Sequence, residues 1–140
     1  MVDETRVLRL LRSLTDDLAV LRDAAAADDG RQRDPMFLRG VKYTFITAIE
    51  ACVDVAQHVC AAQGWGPPAN NGDAVAILGR HGVLDPGLAI RMRQAAGFRN
   101  VLVHEYVGVD DAVVWQRLRD PSDLDQFAQA VTSWLGSSSG

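Results

Sequence analysis

The segment PMFLRGVKYTFITAIEACVDVAQHVCAAQ, residues 35–63, decides the fold of this chain. Its apolar residues recur at intervals of three and four, which is the period of an amphipathic helix. The run Gly64-Trp65-Gly66-Pro67-Pro68 then ends the pattern, because proline lacks the amide hydrogen that a helix interior needs. We therefore predict one long helix whose buried face is formed by Val41, Phe45, Ile49, Cys52, Val53, Ala56 and Val59.

Three more long helices are predicted around this one. Residues 3–27 carry an apolar stripe at helical spacing, and Asp28-Asp29-Gly30 ends it before a polar loop at residues 31–35. Asp85-Pro86 and Asp120-Pro121 each combine an N-cap residue with a proline at the first helical position, so each predicts a helix start. The first helix has the apolar face Val7, Leu10, Leu11, Leu14, Leu18, Leu21 and Ala25. The helix after Asp85 has Leu88, Met92, Ala95, Phe98 and Leu102, and the helix after Asp120 has Leu124, Phe127, Val131, Trp134 and Leu135.

Short helices are predicted between the long ones. One is capped by Asn71 or Asp73 and continues through Leu78, and another runs from Asp110 to about Leu118. No segment shows the alternation of a half-buried strand. The chain is therefore predicted to be all-α, an antiparallel up-and-down four-helix bundle with short extra helices.

Length and composition agree with a folded cytoplasmic protein. A chain of 140 residues with 48% hydrophobic residues can bury one core, so we assign residues 1–135 to a single helical domain and residues 136–140 to a flexible tail. Aromatic residues make up 6%, which favours helices over sheets. The N-terminus has no apolar run long enough for a signal peptide or a membrane span, so we expect no membrane contact.

The net charge of −4 is unusual for a protein that binds nucleic acid, since bulk electrostatic attraction needs a basic surface. Lys42 is the only lysine, and every other basic residue is an arginine. This preference can reflect phosphate chemistry or a GC-rich genome, and we favour the genomic explanation. Any nucleic acid would have to be bound by a local arginine cluster.

Metal-ligating side chains form no recognisable pattern. Cys52 and Cys60 fall in one predicted helix, roughly 12 Å apart, which is too far for a disulfide, and both are predicted to be small buried residues. No set of Cys and His residues has the spacing of a zinc site. We therefore expect neither a metal nor a cofactor.

The segment RNVLVHEY, residues 99–106, carries the chemistry. Arg99 can bind a phosphate with two parallel hydrogen bonds, and His104 can transfer a proton near neutral pH. On an ideal helix these two side chains point roughly 140° apart, whereas Asn100 and His104 share a face. Either local unwinding at Val103–His104 or a two-fold dimer could bring Arg99 and His104 to one atom.

Two carboxylates, Glu50 and Asp54, recur at four-residue spacing on the long helix. They could form a solvated polar face, or they could orient Arg99 or His104 beside a cleft. A purely structural interpretation is also open. In that case Arg99 pairs with Asp54 or Glu50, His104 caps a helix and Tyr106 covers the core.

The chain resembles a known family in four places. The segment AIEACVDVA at residues 48–56 is similar to the family pattern aiEaaiDia, and FRNVLVHEY at residues 98–106 is similar to fRN-x-lvH-x-Y. The Gly/Pro break at residues 64–68 and the segment 78–84 match as well. Over most of its length the chain thus resembles the HEPN superfamily, and most closely the HepT-like toxins that are encoded beside a minimal nucleotidyltransferase antitoxin.

The resemblance implies a toxin that cleaves RNA without a metal. The ribose 2′-hydroxyl would attack the adjacent phosphate and leave a 2′,3′-cyclic phosphate. His104 would be the general acid/base, Arg99 would stabilise the phosphorane charge, and Asn100 would position the backbone or the substrate. The resemblance also implies that the site forms between two copies of the chain and that the partner nucleotidyltransferase silences the toxin by adding AMP to Tyr106.

The implied partners are therefore a cognate nucleotidyltransferase antitoxin, an RNA such as a tRNA or an mRNA, and a second copy of the chain. A non-catalytic alternative stays open, in which the same helical dimer is the substrate-binding subunit of a nucleotidyltransferase and cuts no RNA. The intact Arg99, His104 and Tyr106 favour the ribonuclease. The acidic net charge favours the binding subunit.

Overall fold

The computed structural model describes residues 1–105 and 108–139, with side chains for residues 1–105 and 108–137. Within these residues every regular element is a helix. The helices are α1 (Glu4–Ala25), α2 (Asp29–Gln32), α3 (Pro35–Gln63), α4 (Asn71–Arg80), α5 (Pro86–His104), α6 (Asp111–Arg119) and α7 (Ser122–Ser139).

The four long helices α1, α3, α5 and α7 form an up-and-down bundle. α1 packs against α3 and α7, and α5 packs against the same two helices, so the four surround one core. The Asp3 amide donates to His58 Nε2 at 2.9 Å, and Thr47 Oγ1 donates to Asp17 Oδ2 at 2.7 Å. The start of α1 thus lies beside the later part of α3, and residues further along α1 contact earlier residues of α3. The two helices are therefore antiparallel, as predicted.

α3 is the core helix of the bundle, and its predicted apolar face is buried in full. Phe45 packs edge-on against Phe98 of α5, with ring centroids 5.5 Å apart. Cys52 and Cys60 are buried free thiols, as predicted, and burial raises the pKa of Cys52 far above its ordinary value. Among the helices of the described residues, α3 alone is long and apolar enough to cross a membrane. However, 56% of its apolar 18-residue stretch is buried inside the bundle.

The ends of α3 and the start of α5 follow from capping chemistry. The carboxylates of Asp34 and Asp85 accept backbone amide hydrogens of the first turn, and each residue precedes a proline. At the other end of α3, Gly64 has a φ of 71°, the left-handed conformation that glycine adopts without strain. These bounds agree with the prediction because aspartate, proline and glycine are strong local signals.

The prediction of a polar loop at residues 31–35 was wrong in part, because α2 extends into this segment. The Asp28 carboxylate caps α2 by accepting the Arg31 amide at 2.8 Å. A single turn of polar residues has no apolar period, so the sequence pattern could not reveal it. The cap of α4 also differs: it is Asn70, which precedes both predicted candidates, Asn71 and Asp73.

The C-terminal segment is more regular than predicted. α7 continues through Ser139, so residues 136–139 are helical rather than an irregular tail. Glycine and serine have low helix propensity, but a helix that is already packed upstream can extend over them at small cost per residue. The flexibility of this segment stays a prediction.

Candidate active site

The RNVLVHEY motif begins on α5, and His104 is the last residue of this helix. The helix buries the predicted face of Leu88, Met92, Ala95, Phe98 and Leu102, so its orientation in the bundle is fixed by packing. The Glu105 amide donates to the Val101 carbonyl at 2.8 Å, which closes a regular last turn around His104. The local unwinding at Val103–His104, one of the two predicted arrangements, is therefore absent from this structure.

The motif side chains leave α5 in different directions. Asn100 and His104 are exposed, one turn apart on the outside of the helix. The Arg99 side chain is only 19% exposed and points towards α3, where its Nη2 lies 3.7 Å from Glu50 Oε2. Within one chain Arg99 and His104 therefore diverge, as the helical offset predicts.

Arg99 is oriented by its neighbours but keeps free hydrogen-bonding capacity. Its Nη1 donates to Asn100 Oδ1 at 3.2 Å, and its Nη2 is within ion-pair distance of Glu50. Its Nε is buried and has no hydrogen-bond partner among the described residues. A buried N–H without an acceptor is costly, so the guanidinium gains from any shift that brings Nε to an acceptor.

The two acids on α3 lie in a mixed-charge cluster that joins three helices. Burial and the neighbouring Glu50 raise the pKa of Asp54, while Arg6 and Arg99 act in the opposite direction. Of the alternatives that the sequence left open, the structure shows Glu50 within ion-pair distance of Arg99, a contact that fits both the orienting role and the purely structural one. Arg6 was missed, although the antiparallel pairing of α1 with α3 places it opposite Asp54. Among residues 1–105 and 108–139 no three His, Cys, Asp or Glu side chains cluster as a metal site.

Several polar residues near the motif or at helix ends have structural partners. His58 accepts the Asp3 amide, and His81 at the end of α4 stacks on the Trp65 ring with centroids 4.0 Å apart. Arg91 of α5 donates to Asp123 Oδ1 at 2.9 Å and bonds Gln126 of α7 as well. These contacts tie helices together, so none of the three side chains extends the Arg99 site.

Tyr106, the predicted site of AMP addition, lies outside the described residues. The structure describes the chain up to Glu105 and again from Gly108, and the Asp110 side chain then caps α6. The role of Tyr106 therefore rests on its position in the motif.

Fold and motif together define a helical-bundle protein of the HEPN type. The family model described as Ribonuclease HepT-like matches residues 6–132. Because this match covers most of the chain, the protein belongs to the ribonuclease HepT-like family.

Two relatives and one solved structure illustrate the likeness. The mRNA nuclease HepT of Shewanella oneidensis is 29% identical over 83 residues, which are 59% of this chain and 62% of that protein. The tRNA nuclease HepT of Aphanizomenon flos-aquae is 32% identical over 69 residues, which are 49% of this chain and 47% of that protein. Both alignments thus span less than two thirds of the relative's length.

The solved structure is that of a tri-AMPylated HEPN toxin of Shewanella oneidensis in complex with its MNT antitoxin. It superposes with a TM-score of 0.85 at 19% identity and covers 95% of this chain and 99% of that one. At this identity the likeness establishes the shared fold, and the predicted helical bundle is confirmed.

Proposed function

We propose that this protein is the toxin of a toxin–antitoxin pair and that it is an endoribonuclease using Arg99 and His104. The observation that carries the proposal is the partly exposed Arg99 side chain, which is oriented by Asn100 and Glu50 and whose unpartnered Nε a small shift would bring to an anion. A guanidinium prepared in this way suits a phosphate, and an exposed imidazole ends the same helix. Family membership and the relatives' names support RNA as the substrate. Because RNA and the AMP donor are cytoplasmic, we place the protein in the cytoplasm.

The proposed reaction is an internal transesterification of RNA. His104 takes the proton of the ribose 2′-hydroxyl while the 2′-oxygen forms its bond to phosphorus and the bond to the 5′-oxygen breaks. A proton is returned to that leaving oxygen, which gives a 5′-hydroxyl and a 2′,3′-cyclic phosphate. Arg99 stabilises the charge that develops on the phosphorane oxygens. Asn100 and Glu50 support this role by limiting the orientations of the guanidinium.

The proposed active form is a two-fold homodimer. α5 is regular through His104, so Arg99 and His104 of one chain point apart, and a second copy can supply the missing group across a shared cleft. We expect light scattering at micromolar concentration to give twice the chain mass. An active monomer under the same conditions would contradict the shared cleft.

Cleavage should not need a divalent metal. The proposed reaction uses the imidazole of His104 for proton transfer and the guanidinium of Arg99 for charge. We therefore expect purified protein to cut RNA at an unchanged rate after dialysis against EDTA. The same RNA incubated without protein is the control. Loss of cleavage in EDTA, restored by added magnesium, would exclude this mechanism.

The proposed antitoxin is a minimal nucleotidyltransferase that transfers AMP to Tyr106. The phenol lies two residues beyond His104, so an added phosphate would compete for the cations that bind the RNA phosphate. After co-expression with the antitoxin, mass spectrometry should find one or more AMP units on Tyr106. Tyr106→Phe should remain toxic and escape silencing. Silenced protein with an unmodified Tyr106 would instead indicate inhibition by complex formation.

A further inference from the structure

A cavity lies where the C-terminal end of α1, the one-turn helix α2 and the helix α6 meet. The cavity has a volume of about 780 Å³ and opens to solvent. Ala25 of α1 and Ala112 of α6 both line it, and their small side chains leave the space free. None of the described motif residues 99–105 and neither acid of α3 lines this cavity, so Arg99 and His104 lie outside it.

One face of α6 supplies most of the chemistry of the cavity. Ala112, Trp115, Gln116 and Arg119 all line it, and their spacing of three, four and seven residues places them on one side of a helix. Arg33 lines the cavity from the end of α2. With Gln32 of α2, the site therefore combines an aromatic ring, two amides and two guanidinium groups.

The Trp115 ring is positioned before any ligand binds. Phe37 stacks on it with ring centroids 6.4 Å apart and an interplanar angle of 16°, and Arg31 lies 5.1 Å above the Phe37 ring. Trp115 lines the cavity and Phe37 does not. Phe37 therefore supports the indole from outside the cavity lining.

The charges of the cavity favour an anion. Arg33 and Arg119 form no ion pair within the described part of the chain, and Asp29 is the one acid among the lining residues. Two positive charges and one negative charge leave a local charge of +1, in a chain whose net charge is −4. The Gln116 amide has no hydrogen-bond partner among the described side chains either, so it is available to a ligand.

We infer that this cavity binds a nucleotide of a single-stranded RNA segment, with the base stacked on Trp115 and the flanking phosphates on Arg33 and Arg119. Single-stranded RNA is recognised by this combination of aromatic stacking and backbone cations. The inference rests on the proposed function and adds a substrate-anchoring site to it. α6 also reaches the motif helix, since Arg117 lies 5.1 Å above the ring of Phe98, the residue before Arg99.

The test measures RNA binding by protein that cannot cut. In a His104→Ala background, a fluorescein-labelled single strand of about 12 nucleotides is titrated at several salt concentrations. The double variant Arg33→Gln/Arg119→Gln should bind about tenfold more weakly. The slope of log affinity against log salt should fall by about 1.4, or roughly 0.7 for each lost phosphate contact. The matched control Arg12→Gln/Arg39→Gln removes two exposed arginines outside the cavity and should change neither quantity.

A second pair of variants tests the stacking. Trp115→Leu should weaken binding by about tenfold, while Trp115→Phe, which retains an aromatic face, should bind almost normally. Equal affinity and equal salt slope for the arginine double variant and its control would overturn the inference. The inference would also be overturned if AMP quenched Trp115 fluorescence while the double variant kept its RNA affinity. That result would assign the cavity to a free nucleotide.

The same variants separate this inference from the ribonuclease proposal. With His104 intact, the arginine double variant should raise the KM for RNA and leave kcat unchanged. A wild-type protein that binds RNA through the cavity and never cuts it would refute the ribonuclease and support the anchor. Cleavage with an unchanged KM in the double variant would support the ribonuclease and refute the anchor.

Discussion

Replacement of His104 by alanine should abolish RNA cleavage and toxicity while the helical bundle stays intact. His104 is exposed at the last residue of α5, so truncation removes little buried surface. Loss of a general acid/base should lower the cleavage rate by ~10²–10⁴. The measurement follows growth and RNA integrity after induction, with circular dichroism to confirm the fold.

Glu105→Ala is the matched control for this experiment, because Glu105 is the exposed neighbour and its side chain has no proposed role. It should remain toxic. A well-folded His104→Ala protein that cleaves at the wild-type rate would exclude His104 as the acid/base. A wild type that never cuts RNA, yet binds a nucleotidyltransferase, would favour the non-catalytic subunit.

Arg99→Lys should also lose most of its activity although the charge is conserved. The arginine fork reaches Asn100 Oδ1 with Nη1 and Glu50 with Nη2, and the buried Nε has no partner until the side chain shifts. A lysine ammonium cannot reproduce that planar arrangement. Removing one group that stabilises the developing charge should cost about 10²–10³ in kcat.

Single-turnover cleavage with saturating protein measures this loss directly. Arg93→Lys is the matched control, since Arg93 is an exposed arginine on the same helix and has no role in the proposed chemistry. The control should keep wild-type kcat. If Arg99→Lys also keeps it, Arg99 contributes only bulk charge and the bidentate contact to phosphate is refuted.

The long helices could be predicted from the sequence because their limits are set by local chemistry. Pro35 and Gly64 are residues whose backbone preferences start and stop a helix, and the apolar period of α3 determined its buried face. α2 and the end of α7 escaped prediction, since neither has an apolar stripe. Their helical state depends on a single aspartate cap or on the helix that precedes them.

The candidate site was predictable only where it lies on one helix. The angular offset between Arg99 and His104 follows from helix geometry, and the structure reproduces it. Predicting the contact between Arg99 and Glu50 would have required knowing which acid of α3 faces Arg99. The sequence left Glu50 and Asp54 as alternatives. Arg6 and the cavity around Trp115 were missed because they are assembled from helices that are distant in the chain, and no local pattern encodes that assembly.

Lys42, the only lysine of the chain, has a further experimental consequence. It is 7% exposed within α3, and its ammonium lies 3.3 Å from Asp111 of α6. A lysine-specific protease therefore cannot reach its single cleavage site until the central helix leaves the bundle. When refolding is faster than cutting, the digestion rate tracks the population of opened molecules. A timed digest would thus report how often this part of α3 opens, and its slowing by an added RNA or antitoxin would measure how strongly that ligand stabilises the closed form.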